Sequence, residues 1–271
     1  MLTLESVTYR YAGALRPSLY EVSLELRNGE VLGVVGASEA GKTTLCLVAS
    51  GLAPRTVGGT LAGRILLDGA DVRPLPIHAL AARIGIAFAN PATQLSGVAG
   101  TVYEEIAFGP MNLGLPRGQV IERTEQAMAA LRIDLLAARD PVLLSGGQQQ
   151  LVAIAGLLAM RPRHLVLDEP TAQLDPAGTA LVADALARLA RDGASILITE
   201  HKTDLLAAIS ARVLALEGGR VALYGPADEV LADPRLPELG VAAPGAVRLL
   251  ASARIVSLPT AAIGRLAEGL A

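Results

Sequence analysis

The chain is poor in the residues that staple or ligate. One cysteine, Cys46, stands among 271 residues, so no disulfide can close within the chain and a reducing, cytosolic setting fits. The three histidines, His78, His164 and His201, lie far apart and give no His/Cys cluster of metal-ligand spacing. Charge of one sign is lacking too: 23 Lys and Arg against 26 Asp and Glu leave a net charge of -3. That balance argues against a bulk electrostatic grip on nucleic acid, although a local basic patch stays open.

Long apolar runs are also missing. A membrane-spanning helix needs about 18 or more consecutive apolar residues. Leu151–Met160 is followed at once by Arg161, and residues 205–216 are broken by Ser210 and Arg212. Residues 1–10 carry no basic stretch leading into an apolar one, so they do not read as a signal peptide. The expectation is a soluble chain that is not exported. What the sequence does have is apolar mass: 52% hydrophobic residues, 18% charged and a mean hydropathy of +0.46. Disorder is excluded by that composition.

The patterning predicts an α/β fold. Val22–Leu26 alternates, as do Leu4, Val7, Tyr9 and Tyr11 among polar neighbours, which marks half-buried antiparallel strands. Asn28-Gly29 reads as a tight turn joining Val22–Leu26 to Val31–Val35. Val31–Val35 is continuously apolar, as a strand buried on both faces would be. A helix is expected from about Lys42 to Ser50, a strand over Ile65–Asp68 closed by Asp68-Gly69, and another over Ile84–Ala89. Helices follow near Thr101–Met111, Gln119–Leu131 and Gly146–Met160. Strands Leu165–Leu167 and Ser195–Thr199 flank helix Pro176–Ala190, and Glu217-Gly218-Gly219 joins a final hairpin, Arg212–Leu216 with Val221–Tyr224. Buried strands alternating with helices imply a parallel sheet, with the N-terminal antiparallel strands at its side. The domain reading is a main domain over residues 1–225, with a helical subdomain at about 95–160, and a small Ala/Leu-rich helical extension over 226–271.

Gly36-Ala37-Ser38-Glu39-Ala40-Gly41-Lys42-Thr43 fits G-x-x-x-x-G-K-[ST] between a buried strand and a helix start. Glycines let the loop curl so that its N–H groups face phosphate oxygens, and the helix N-terminus adds partial positive charge. Lys42 would neutralise the β- and γ-phosphates, and Thr43 would offer its hydroxyl to Mg²⁺. Glu39 is odd there, since a carboxylate repels a polyanion; its side chain is expected to point to solvent. His164–Asp168 is an apolar strand running into Asp168-Glu169, and ligands sit at the strand ends of parallel sheets. Asp168 suits Mg²⁺, and Glu169 is placed to polarise a water. Leu144-Ser145-Gly146-Gly147-Gln148 precedes a helix that Ser145 can cap, which makes a second anion-seeking loop. One nucleotide does not need two cradles, so a second subunit is expected to complete the site.

With these motifs in this order the sequence resembles the ATP-binding cassette (ABC) ATPases. Leu144–Gln148 looks like their signature, Gln94 their Q-loop, Leu174-Asp175 their D-loop and His201 their switch histidine. Tyr11 lies where the family stacks an aromatic on adenine. Asn90–Leu95, Thr101–Pro110 and Asn112–Pro116 resemble the energy-coupling factor (ECF) type, which also carries a small C-terminal extension. The resemblance implies a P-loop NTPase fold with ATP and Mg²⁺ as ligands. Gly36, Ala37, Ser38, Glu39, Ala40, Gly41, Lys42, Thr43 and Thr44 would hold ATP, with Tyr11 on its base. Thr43, Gln94 and Asp168 would attend Mg²⁺, and Glu169, His201 and Gln94 would act in hydrolysis. Ser145, Gly146, Gly147, Gln148 and Asp175 would meet ATP across a dimer interface. The implied partners are a second ATPase subunit, identical or related, a transmembrane coupling subunit docked near residues 94–109, and a small substrate-binding membrane subunit, with no nucleic acid.

The implied place is the cytoplasmic membrane face and the implied work is import of a vitamin or transition-metal ion. Departures from the family pattern are Glu39, Thr43, Leu151, Gln173 and the Glu200-His201 order. The rival reading, a soluble ABC-type ATPase acting on DNA or ribosomes, lacks support from long coiled-coil insertions or from net charge.

Overall fold

The computed structural model describes residues 1–255, with side chains to 251; expectations for residues beyond 255 lie outside the described residues. Two sheets share the chain. The first is antiparallel, in the order β2-β1-β4-β5, built from β1 (Leu2–Arg10), β2 (Leu19–Leu26), β4 (Thr60–Leu67) and β5 (Ala70–Asp71). The second runs β10-β9-β3-β8-β7-β6, from β3 (Val31–Gly36), β6 (Ile84–Ala87), β7 (His164–Asp168), β8 (Ser195–Thr199), β9 (Arg212–Glu217) and β10 (Arg220–Pro226). It is parallel except for the β9–β10 hairpin.

Helices lie between the strands and after the last of them. They are α1 (Lys42–Ala49), α2 (Ile77–Ala81), α3 (Val102–Asn112), α4 (Arg117–Ala130), α5 (Gly146–Met160), α6 (Pro176–Arg191), α7 (Thr203–Ile209), α8 (Ala227–Leu231) and α9 (Gly245–Ile255). Helices α3 and α5 each open with a reciprocal capping box, Thr101 with Glu104 and Ser145 with Gln148, which satisfies two orphan donors at each start.

The second sheet separates two cores, and alternate residues of each strand serve them. Val31 and Val35 of β3, Leu165 and Leu167 of β7, Ile196 and Ile198 of β8 and Val213 and Ala215 of β9 face α3, α5 and α6. Leu32, Val34, Val166, Leu197, Leu214 and Leu216 face α1 and the antiparallel sheet. That double burial is why these strands read as continuous apolar runs. Ala227, Val230, Leu231, Leu236 and Val241, past the β9–β10 hairpin, pack into the first of these cores.

Asn28-Gly29 does form a turn, with Gly29 at φ +70°, but β2 and β3 do not pair. Each goes to a different sheet, because β3 is apolar on both faces and is drawn between β8 and β9, while alternating β2 needs only one buried face. A buried ion pair fixes the divergence. Arg212 Nε lies 2.5 Å from Glu30 Oε1, and its Nη2 donates to Glu30 Oε2 at 2.7 Å and to the Glu25 carbonyl at 2.6 Å. Burial works against the Glu30 charge, but the hydrogen bonds from Arg212 and from the Arg27 N–H hold its carboxyl below the ordinary value. The strand at Ile84 is also shorter than expected, ending at Ala87.

Candidate functional site

The phosphate-loop segment closes β3 and opens α1, as its sequence demands. Gly41 stands at φ +107°, a left-handed backbone that side chains resist, and a Cβ there would lie 2.9 Å from the Ser18 carbonyl oxygen. Helix α1 has no side-chain cap and no acid in its first turn, so its N–H groups are free for an anion. Lys42 is buried, and its Nζ donates to the carbonyls of Gly36 (3.0 Å) and Ala37 (3.1 Å) inside the loop. A buried ammonium resting on loop carbonyls, at the uncapped end of a helix, is a cradle that a polyphosphate fits.

At the ends of β7 and β8 the acids take separate places. Asp168 is buried, and its Oδ1 accepts from Thr199 Oγ1 at 2.7 Å, with Cys46 Sγ 3.9 Å away. Burial first, and then the Asp168 charge, push the Cys46 thiol well above its ordinary value, so it packs as a neutral side chain. Glu169 stands at φ +48°, with its N–H donating to the Thr199 carbonyl and hydroxyl, both at 3.1 Å. That backbone turns its carboxylate outward, where Oε1 lies 3.0 Å from His201 Nε2 and 3.8 Å from Lys42 Nζ.

A cavity of about 420 Å³ joins these groups, lined by Ser18, Ser38, Glu39, Gly41, Lys42, Thr43, Thr44, Glu169 and His201. Glu39 is exposed at its rim, as expected, and adopts φ +64°. Tyr11 touches this end of the loop: its hydroxyl lies 3.1 Å from Thr44 Oγ1 and its ring stands edge-on to Tyr9.

Not every expected residue reaches the cavity. Gln94 turns its amide back on β6, with Oε1 accepting from the Phe88 N–H (3.1 Å) and Nε2 donating to the Ile86 carbonyl (3.2 Å). Both ends of the amide are hydrogen-bonded to backbone, so in this conformation Gln94 does not line the cavity. Asp175 caps α6, accepting from the Gly178 N–H at 2.7 Å. Ser145, Gly146, Gly147 and Gln148 start α5 outside this cavity. Ser18 and Thr199 carried no motif in the sequence; the strand-end position of Thr199, beside Asp168, was the one available signal.

A larger cavity, about 780 Å³, holds none of the phosphate-loop residues. Arginines line it, but they serve the helices around it: Arg123 donates to the Met160 carbonyl at 3.4 Å, Arg188 to the Asp184 carbonyl at 3.3 Å, and Arg161 to Gln126.

Known proteins share this arrangement. The family model described as ABC transporter matches residues 19–172. The chain belongs to the ABC transporter family. This cassette is 40% identical over 266 residues to the energy-coupling factor transporter ATP-binding protein EcfA1 of Symbiobacterium thermophilum, covering 94% of this chain and 90% of that protein. It is 39% identical to the cobalt import ATP-binding protein CbiO of Rhodobacter capsulatus, covering 96% and 90%. Two Methanosarcina relatives are longer, and the chain spans 42% and 39% of them. Among solved structures, cbiO1 of Clostridium perfringens, part of the ABC transporter complex cbiONQ, superposes with a TM-score of 0.74 at 32% identity, covering 88% of this chain and 96% of that one. An ATP-binding cassette solved as a dimer after hydrolysis, with ADP and Pi, gives a TM-score of 0.74 at 25% identity, covering 84% and 99%. The cassette is an ATPase by family, and among its described residues no helix is long and apolar enough to cross a membrane.

Proposed function

We propose that this chain is the ATP-hydrolysing subunit of an ECF-type importer, working as one half of a dimer on the cytoplasmic face of a membrane. The observation that carries this reading is the cavity in which Lys42, Glu169 and His201 converge at an uncapped helix start. ATP lies along Gly36–Thr44, with its base beside Tyr11. Lys42 exchanges its loop carbonyls for phosphate oxygens, which multiplies its charge-assisted bonds. Thr43 and Asp168 hold Mg²⁺, whose chemistry is to neutralise charge that develops on the phosphate oxygens. Glu169 orients the attacking water and takes its proton; His201 donates toward the γ-phosphate. ATP and water become ADP and phosphate.

Ser145, Gly146, Gly147 and Gln148 of a second subunit close over the γ-phosphate, and Asp175 meets that subunit at the seam. Cleavage removes the group that both halves grip, so the dimer opens. Gln94 would join Thr43 and Asp168 in holding Mg²⁺ once its bonds to Ile86 and Phe88 are released. Residues 94–109 meet a transmembrane coupling subunit; exposed Val98 and Phe108 there support a docking role. The solute, a vitamin or a transition-metal ion, is held by a further membrane subunit, in keeping with the names of the ECF and cobalt-import relatives. Residues 1–225 form the motor and 226–271 the extension.

Glu169→Gln tests the reading. It should bind Mg-ATP, lose at least about a hundredfold in hydrolysis, as loss of a general base does, and elute as a dimer during gel filtration with Mg-ATP. Hydrolysis at the parental rate, or a monomer that persists with ATP, refutes it.

A further inference from the structure

The residues on either side of His201 grip one short stretch of chain. Glu200 is 2% exposed; its Oε1 accepts from the Thr171 N–H (3.0 Å) and Thr171 Oγ1 (2.6 Å), and its Oε2 from the His201 N–H (3.2 Å). Lys202 donates to the Thr171 carbonyl (2.7 Å), the Leu174 carbonyl (3.1 Å) and Thr179 Oγ1 (2.9 Å). A lysine ammonium has three N–H groups, and here each has an oxygen. The carboxylate before the histidine and the ammonium after it thus fasten residues 171–174, which lead directly into Asp175.

The same stretch presses on the start of α5. A Cβ on Gly146 would lie 2.3 Å from Gln173 Oε1, and one on Gly147 would lie 3.1 Å from the Gln173 carbonyl. Contact therefore runs from Gly146 and Gly147 through Gln173 to Thr171 and Leu174, then through Lys202 to His201, whose Nε2 is 3.0 Å from Glu169 Oε1.

We infer that Lys202 is a positioning residue for hydrolysis, through which the signature loop of a subunit sets that subunit's own Glu169–His201 pair. The inference rests on the proposed roles of His201 and Glu169. When a second subunit's ATP engages Ser145–Gly147, any shift of Gln173 is handed to the histidine loop by the two hydrogen bonds from Lys202 to the flanking Thr171 and Leu174 carbonyls, with the third, to Thr179, holding the ammonium in place. The stem of Lys202 supplies no phosphate contact in this arrangement, so its loss should leave nucleotide binding intact.

The test compares Lys202→Met, Lys202→Arg and His201→Ala in the full chain, by steady-state ATPase kinetics with Mg-ATP affinity measured beside it. Lys202→Met keeps the stem but no donor. It should lower kcat at least about tenfold, in the range that misplacing a reacting group commands, with KM and affinity within about threefold. It should also bring the Hill coefficient for ATP to about 1, and Lys202→Arg should restore most of kcat. Parental kcat in Lys202→Met overturns the inference, as does a parallel rise in KM or a failure of Lys202→Arg to restore the rate. Should Lys202→Met not fold, Thr179→Val, which removes one acceptor, decides by the same split between kcat and KM. If His201→Ala itself hydrolyses at the parental rate, the underlying site reading falls; if it is slow while Lys202→Met is normal, this inference alone falls.

Discussion

At the scale of the residue, Glu39 is where the cassette departs from its own chemistry. It sits at φ +64° in a loop built to hold polyphosphate, exposed at the rim of the cavity. A left-handed backbone costs a side-chain-bearing residue roughly 1 kcal/mol whether or not nucleotide is bound, and the exposed carboxylate puts like charge near the place a polyphosphate would occupy. Glu39→Gly removes both penalties. Calorimetry with Mg-ATP should show several-fold tighter binding than the parent, and the gain should shrink as salt is raised, because it comes from relieved repulsion, which salt screens. Equal affinities at low salt count against this account. Glu169 carries the same left-handed strain at φ +48°, but two hydrogen bonds from its N–H to Thr199 hold it there.

At the scale of the element, the Glu30–Arg212 pair joins the two sheets. Arg212 starts β9, while Glu30 and the Glu25 carbonyl belong to the end of β2 and the turn after it. Removing one partner of a buried pair leaves the other charge stranded, at a cost of roughly 3–5 kcal/mol. Urea unfolding of Arg212→Met should show a loss in that range, and the double variant Arg212→Met, Glu30→Met should recover part of it. Additive losses would mean that the pair does not interact.

This element scale also shows what could be read from sequence. Helix α5 and strand β8 lie where the apolar pattern put them, since capping at Ser145 and the bounds of a doubly buried strand are local signals. The parting of β2 from β3 is not local: the Asn28-Gly29 turn is the same whether its strands pair or separate, and Arg212, 182 residues beyond Glu30, settles it. Helix α7 hid inside an apolar stretch that runs on into β9. At the site, Lys42 and Glu169 were legible in their local motifs, and His201 through the resemblance to the family's switch histidine. The grip of Lys202 on residues 171–179 depends on neighbours distant in the sequence, whereas the amide of Gln94 turns back onto Phe88 and Ile86, six and eight residues away, a local fold-back that its motif does not announce.

At the scale of the whole molecule, His164 links folding to acidity. It starts β7, is 1% exposed, and neither ring nitrogen has a hydrogen-bond partner; Asp68 Oδ1 is 3.8 Å from Nε2. Burial, helped by the positive charges of the chain terminus, Arg163 and Arg83 against the opposing pull of Asp68, lowers its pKa to about 4. The imidazole is therefore neutral when folded and takes a proton more readily when unfolded, near its ordinary 6.5. Its contribution to stability is complete above pH 6.5 and is lost as pH falls toward 4, a loss of roughly 2–3 kcal/mol. Thermal melts of His164→Leu between pH 7 and pH 4.5 should fall less steeply than those of the parent. Parallel curves would dismiss the histidine as the source.

The phosphate loop, finally, is braced from the far end of the chain. The Gly219 N–H donates to the Ala40 carbonyl at 2.9 Å, and its carbonyl accepts from the Tyr20 N–H at 2.8 Å. A chain still growing on a ribosome carries Gly36–Thr44 long before it carries Gly219. If that brace is required for binding, stalled chains of increasing length should retain nucleotide only once the β9–β10 hairpin has emerged; retention by chains that end before Gly219 would show that the loop holds without it.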